Sequence, residues 1–495
     1  MTVAAPSSPR FLGLSPALAA ILVIAASTLF RLYYCTWLPL IPDEAYYFQW
    51  SKHLDASYFS KGPGVAYAIA MGTTLFGGNN LGIRLFAVLL SAGTAWQIFI
   101  LARRWYDETV ALIAMLIASV VPLYALGAIV MTIDPISAFF WLWAANLFSR
   151  AIQEGRTTDW LLAGVAVGIG FLGKYLNALE LVTFLAFLLL VPERRHLLVK
   201  SGFWLMLAMA VLCTLPVWWW NAQHHWISLD QLANRGKLHE PAQLSLSKFL
   251  DFLMEQALVI SPLLFAALLI TAVIVGLGRL KKSTTVENEG ELLLLLLFLP
   301  VFLLYAILAW HMRGEPNWPA ISYLTVIILL AARWRQALLA GKWRGFIIAT
   351  FLLAWLQTLL FHNTEFFPLK QKMDPMSRVV GWSEIANRLD QVRQEQHADV
   401  LIASAYKEAS ILSFHLPGQP FIYVLHHSPP ANQYDFWPTY PTAPPHRALW
   451  ITLTDASSPK DLANEFNTIT PIDSMVVSFR GQPLRRYTIY LCENR

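Results

Sequence analysis

The chain has 495 residues, of which 56% are hydrophobic and only 14% charged, and its mean hydropathy is +0.49. An ordinary soluble domain carries about 25% charged residues, so this composition excludes one and indicates a polytopic α-helical membrane protein. The net charge of +5 sits in short clusters between apolar runs, a topology signal and not a nucleic-acid footprint. Cys35, Cys213 and Cys492 are too few for a disulfide framework, and Cys213 falls inside an apolar run where it reads as packing.

In chain order, the first apolar run, Leu12 to Phe30, is long enough to span a bilayer and reads as a retained first helix, not a cleaved signal. Further apolar runs at 79–101, 109–130, 136–149, 160–173, 176–192, 202–220, 257–278, 292–310, 318–332 and 345–361 bring the expected number of transmembrane helices to about eleven. Basic residues occupy every second connection: Arg103 and Arg104; Arg150 and Arg156; Arg194, Arg195 and Lys200; Arg279, Lys281 and Lys282; then Arg333, Arg335, Lys342 and Arg344. With Arg10 at the front, all fall on one side when the N-terminus is cytoplasmic. The regular alternation predicts residues 1–365 as a membrane domain. Residues 366–495 are expected outside it as a small α/β domain, with strand-like runs at 398–403, 420–425, 448–453 and 487–491 and a helix near Ser383–Glu395.

The opposite connections carry mixed acids and bases beside Gly, Pro and aromatic residues. The first outward loop, 37–78, with its juxtamembrane helices, contains Ile41-Pro-Asp43-Glu44-Ala-Tyr46-Tyr47-Phe48 and then Tyr58-Phe-Ser-Lys61-Gly-Pro63. Asp43 reads either as a general base or as a helix N-cap. Asp134 follows as a candidate in Thr132-Ile-Asp134-Pro135, where an acid between apolar runs is costly unless it lines a polar cavity; it too can be a cap. Lys174, in Gly170-Phe-Leu-Gly-Lys174, meets a phosphate or snorkels to the interface. A loop after Trp218-Trp-Trp220 holds His224, His225 and Arg235, and the last polar knot, Trp310 to Pro319, holds Arg313 and Glu315. Arg313 offers a fixed fork of donors to a phosphate, or pairs with Glu315 at the interface. The two histidines lack a surrounding set of metal ligands, and no Gly-rich phosphate loop precedes a helix in the C-terminal region.

Carboxylates for proton transfer beside several cations are what moving a group from a lipid phosphate to a hydroxyl requires. An acid takes the hydroxyl proton while fixed positive charge stabilises the departing phosphate. A nucleotide-sugar donor would be on the cytoplasmic side, away from these residues, whereas a membrane-anchored donor is available outside.

These motifs, together with Gly77-Gly-Asn-Asn-Leu-Gly-Ile-Arg84, resemble the GT-C glycosyltransferases of the family 39 and family 83 group, which includes protein O-mannosyltransferases and lipid A aminoarabinose transferases. The resemblance covers roughly residues 12–365. It implies a GT-C fold in a bacterial cytoplasmic membrane, with the C-terminal domain periplasmic. It also implies an inverting transfer of a monosaccharide from a polyprenyl-phosphate donor to an envelope glycolipid or lipopolysaccharide. By the same resemblance Asp43 is the general base and Asp134 its partner, while Lys61, Lys174 and Arg313 face the donor phosphate. Glu44, Tyr46, Tyr47, Tyr58, Arg84, Arg235 and Glu315 are expected to line the cavity or contact the acceptor. No cofactor is assigned; a divalent metal stays an alternative. The relatives nearest to lipid A transferases often carry an acid just before the lysine of the Tyr-Phe-x-Lys-Pro motif. Here Ser60 takes that place and Gly62 intervenes before Pro63, which points away from a metal contact there and toward a sugar other than aminoarabinose. Transfer to protein and transport of a lipid-linked substrate are the competing readings; a transporter should show a paired broken-helix repeat, and none is visible.

Overall fold

A computed structural model of the chain describes residues 13–237, 239–241, 244–281, 288–364, 369–371, 374–440, 447–453, 462 and 466–493. Arg10, Lys282 and the expected boundary between residues 365 and 366 lie outside the described residues. Each of the eleven predicted apolar runs coincides with a helix. Seven of the described helices are long and apolar enough to cross a membrane: Pro16–Trp37, Asn80–Trp105, Ser201–Gln223, Pro262–Arg279, Glu289–Leu308, Ala320–Leu339 and Arg344–His362. The other four runs meet Glu108–Val120, Ile133–Glu154, Thr157–Gly173 and Leu179–Leu190, which are shorter or, in the case of Ile133–Glu154, more polar. The chain is a multi-pass membrane protein.

Local signals set the helix ends. Ser15 accepts from Leu18 N–H ahead of Pro16, and Asn79 accepts from Gly82 N–H. Asp107 accepts from Thr109 and Val110 N–H, each 2.9 Å away, satisfying donors that the first turn leaves open. Arg103 and Arg104 close the last turn of Asn80–Trp105, where cations favour the carbonyl end of the dipole.

The basic connections meet at one end of the bundle. Arg335 pairs with Asp107 at 2.9 Å, Arg104 with Glu154 at 3.2 Å, Arg150 with Asp159 at 2.9 Å and Arg194 with Glu289 at 3.1 Å. All but the Arg150–Asp159 pair join connections far apart in sequence, so these basic connections lie together in the fold.

At the opposite end lie two juxtamembrane helices, Pro42–Lys52 and Gly64–Phe76, and above them the C-terminal domain. Its sheet runs in the order β2-β1-β3-β5-β4, with β1 Val400–Ala403, β2 Tyr423–Val424, β3 Arg447–Leu453, β4 Thr468–Phe479 and β5 Gln482–Glu493. The first three neighbours are parallel, and β5 joins β3 and β4 antiparallel. Helices Trp382–Glu395 and Tyr406–His415 accompany it. The domain is not an appendage. Phe48, Trp50 and Tyr58 of the first outward loop share one apolar core with Trp382, Leu412 and Leu449. Cys35, Cys213 and Cys492 are free thiols.

Candidate active site

The Pro42–Lys52 helix begins at a proline, whose fixed φ suits the first turn, and Asp43 and Glu44 follow it at the positive end of the helix dipole. The two carboxylates part company there. Glu44 turns inward and its carboxylate accepts from the Ile41 N–H at 3.2 Å, so Glu44, and not Asp43, serves the helix start. Asp43 projects to the rim, half-exposed, and its Oδ1 lies 3.1 Å from Lys407 Nζ of the C-terminal domain.

Asp134 is likewise free of capping duty. Thr132 caps the Ile133–Glu154 helix by accepting from Asp134 N–H. The Asp134 carboxylate is left to receive Lys174 Nζ at 2.9 Å on one oxygen and Asn317 Nδ2 at 2.5 Å on the other. Lys174 sits just past the end of the Thr157–Gly173 helix, buried, and also donates to Trp318 O at 3.3 Å. It does not snorkel.

Lys61 enters from the first outward loop. Gly62 beside it packs so tightly on the last turn of the Thr157–Gly173 helix that an added Cβ would clash with Leu172 O, so the residue between Lys61 and Pro63 has to be glycine. Burial, then the neighbouring Arg235 and Lys174, lower the Lys61 amine from 10.5 to about 8, against the opposing pull of Asp134 and Asp43. Tyr47 lies in the same field: burial raises its hydroxyl, Asp43 and Asp134 add to the shift, and Arg235 opposes it. Arg235, at the end of helix Ile227–Arg235, lies over the Trp318 ring with its guanidinium carbon 5.6 Å from the ring centre. Asp43, Tyr47, Lys61, Asp134, Lys174 and Arg235 therefore form one electrostatic cluster, although they come from five separate stretches of chain.

A cavity of about 280 Å³ lies among the helices and meets this cluster at Asp134. Asp134, Asn317, Thr132 and Arg31 are among its polar wall residues; Ala92, Ala95, Leu324 and Phe361 are typical of the rest. An apolar slot ending on paired charges suits a lipid with a polar head.

Residues 60–220 match the family model described as dolichyl-phosphate-mannose-protein mannosyltransferase. The lipid A galacturonosyltransferase RgtD of Rhizobium johnstonii is 27% identical over 366 residues, covering 73% of this chain and 74% of that protein. An undecaprenyl phosphate-alpha-4-amino-4-deoxy-L-arabinose arabinosyl transferase of Pseudomonas aeruginosa is 31% identical over 205 residues, covering 37% of this chain but only 36% of that protein. The crystal structure of ArnT from Cupriavidus metallidurans bound to undecaprenyl phosphate superposes with a TM-score of 0.62 at 15% identity, over 96% of this chain and 98% of that one. The chain has the GT-C fold and resembles the membrane glycosyltransferases that share it.

Within that fold, several residues expected at the cavity are elsewhere. Glu44 and Arg84 are fully buried against each other, with Arg84 Nε 2.7 Å from Glu44 Oε1. Glu44 also accepts from Met131 N–H at 2.8 Å, and Arg84 donates to the carbonyls of Cys35, Leu38 and Pro39. This is a structural clasp that joins the first loop to the strand of chain leading into Asp134. Tyr58 is buried as well, stacked on Trp50 at 4.3 Å with its hydroxyl donating to the Trp50 and His53 carbonyls. The Tyr46 hydroxyl accepts from Gln433 N–H at 2.7 Å and so holds the C-terminal domain.

Arg313 is the clearest correction. Its side chain is 73% exposed and pairs with Glu255 at 2.6 Å, neither with Glu315 nor with the cluster. An exposed pair of this kind is worth about 0–1 kcal/mol. Arg313→Ala is accordingly expected to change transfer rate less than about twofold and to leave stability nearly unchanged. A large loss of donor affinity in that variant would return Arg313 to the phosphate site. Glu315 stays at the rim, where its charge reaches Lys407.

Asn317 and Lys407 were not anticipated. Asn317 lies in the polar knot already singled out, but an amide carries no charge signal. Lys407 sits in a soluble-looking helix whose sequence gives no sign of where the domain docks. Among the described residues no group of three or more His, Cys, Asp and Glu side chains is placed to hold a metal ion.

Proposed function

We propose that the chain is an inverting glycosyltransferase that moves a monosaccharide from a polyprenyl-phosphate donor to a hydroxyl of an envelope glycolipid, with lipid A or a related lipopolysaccharide component as the acceptor class. The observation that carries this is the gathering of Asp43 and Asp134 with three cations, Lys61, Lys174 and Arg235, in one cluster whose Asp134 also lines a largely apolar cavity. The acceptor oxygen attacks the anomeric carbon from the face opposite the phosphate. Its proton passes to the Asp43 carboxylate, and the bond from the anomeric carbon to the phosphate oxygen breaks with its electron pair. The departing polyprenyl phosphate gains one negative charge, and Lys61, Lys174 and Arg235 stabilise it. Asp134 holds Lys174 in place and orients the acceptor. Side chains alone supply the charges in this scheme.

The same reading places eleven spans in a bacterial inner membrane, with the basic connections and the N-terminus cytoplasmic and the C-terminal domain periplasmic. The division into residues 1–365 and 366–495 follows from it. Among sugars, a uronic acid or another relative of aminoarabinose is favoured by the longer alignment with a lipid A galacturonosyltransferase. The test is transfer from a panel of synthetic polyprenyl-phosphate monosaccharides to lipid A, with the anomeric configuration of the product read by NMR. A product with inverted configuration is expected. Retention, or no turnover with any donor by folded protein, would overturn the proposal.

Lys61 gives this proposal a pH signature. The ammonium form binds phosphate, and with its amine lowered to about 8 the charged fraction falls as pH rises through that value. The Kd for polyprenyl phosphate should therefore weaken from about pH 7 to about pH 9, whereas Lys61→Arg, charged throughout, should be flat. Wild-type and variant profiles of the same shape would remove Lys61 from the phosphate site.

A further inference from the structure

The C-terminal domain reaches into the candidate active site. Helix Tyr406–His415 packs on the Pro42–Lys52 helix, with the Tyr46 and Tyr406 rings 4.5 Å apart and Gln49 donating to Ser413 at 2.8 Å. The Phe59 N–H donates to Gln433 at 2.7 Å on the same seam. These contacts fix the backbone at Tyr406 and leave the long Lys407 side chain to swing over the rim. There its ammonium meets Asp43, and neither group is sealed: the side chains are 47% and 50% exposed. Glu315 faces the same ammonium.

This contact opposes the chemistry assigned to Asp43. While the Lys407 ammonium stands 3.1 Å from Oδ1, it occupies the oxygen that the acceptor hydroxyl must reach. An exposed pair is also easily exchanged, and a phosphate dianion is a stronger partner for an ammonium than a carboxylate is. Resting on the glycosyltransferase reading above, we propose that Lys407 is a positioning residue that masks Asp43 until an anionic group on the acceptor draws it away. The preferred acceptor hydroxyl then lies beside a phosphate or a carboxylate. The acceptor's own charge releases the base at the moment its hydroxyl arrives, and a neutral lipid or water leaves Asp43 masked.

Three matched acceptors test this: an acylated diglucosamine bearing a phosphate, the same lipid bearing a carboxymethyl group, and the neutral lipid. The ratio of kcat/KM for charged over neutral acceptor is expected to be about tenfold or more in the wild type, the scale of one charge-assisted contact. In Lys407→Ala it should fall to about one, with transfer to the neutral lipid raised, and Lys407→Arg should restore the preference. Comparing the phosphate and carboxymethyl arms tells which anion is read. A residue that only held the domain in place would lower all three rates together and leave the ratio unchanged. An unchanged ratio in Lys407→Ala, no preference in the wild type, or turnover with other acceptors but none of these three, overturns the inference. No turnover by the wild type with any donor and acceptor fails the glycosyltransferase proposal instead.

Discussion

Asp43→Asn is expected to lower transfer by about 10²–10⁴-fold, the usual contribution of a positioned general base. The amide is nearly isosteric but cannot take the acceptor proton. Asp43 is half-exposed at the rim and makes one exposed ion pair, so its loss should not unfold the protein. Glu44, next in sequence, does the structural work of that turn. The variant should keep wild-type thermal stability and wild-type affinity for polyprenyl phosphate. Near-wild-type turnover in the purified variant would show that another group accepts the proton, and Asp134 would become the candidate.

Arg84→Ala should have the largest effect on stability. Its guanidinium is fully buried, as is Glu44 against it, and it also holds three backbone carbonyls at the end of the first span. Removing it strands a buried carboxylate and those carbonyls, at a cost of about 3–5 kcal/mol. Because Glu44 also receives the Met131 N–H, the same change should loosen the approach to Asp134. The expected readout is a large fall in Tm and in the yield of folded protein. Arg84→Lys should rescue little, since one ammonium cannot reproduce the fork. A variant as stable as wild type would disprove the clasp.

Much of this fold was legible because the bilayer imposes length and polarity on each span. The eleven apolar runs, each of which meets a helix, follow from that constraint. Strand β4 escaped detection for a physical reason. It is an edge strand, half of it exposed, with Pro471 and a register break beside it, so it lacks the apolar alternation that marks an inner strand. The short helix Ile227–Arg235 has no bilayer length to announce it.

The candidate site was legible where charge stands out against an apolar background. Asp43, Lys61, Asp134 and Lys174 are conspicuous for that reason, and the structure gathers them. Arg313 was equally conspicuous, yet it is paired with Glu255 on a helix whose placement no local pattern reveals. Glu44 and Asp43 show the limit most sharply. Adjacent in sequence, they point to opposite sides of one helix turn, and only packing decides which is the clasp and which is free. Lys407 lies beyond any local reading, because its partner is set by how two parts of the chain dock.

The most direct test of this mechanism is a crystal structure with a non-hydrolysable donor, a polyprenyl C-glycosyl phosphonate. The phosphonate is expected within hydrogen-bonding distance of Lys61 and Lys174, the isoprenoid chain in the cavity lined by Ala92, Ala95 and Leu324, and Asp43 on the face of the sugar opposite the phosphonate. A phosphonate seated beside Arg313, or one that leaves Asp43 on its own side of the anomeric carbon, would contradict it.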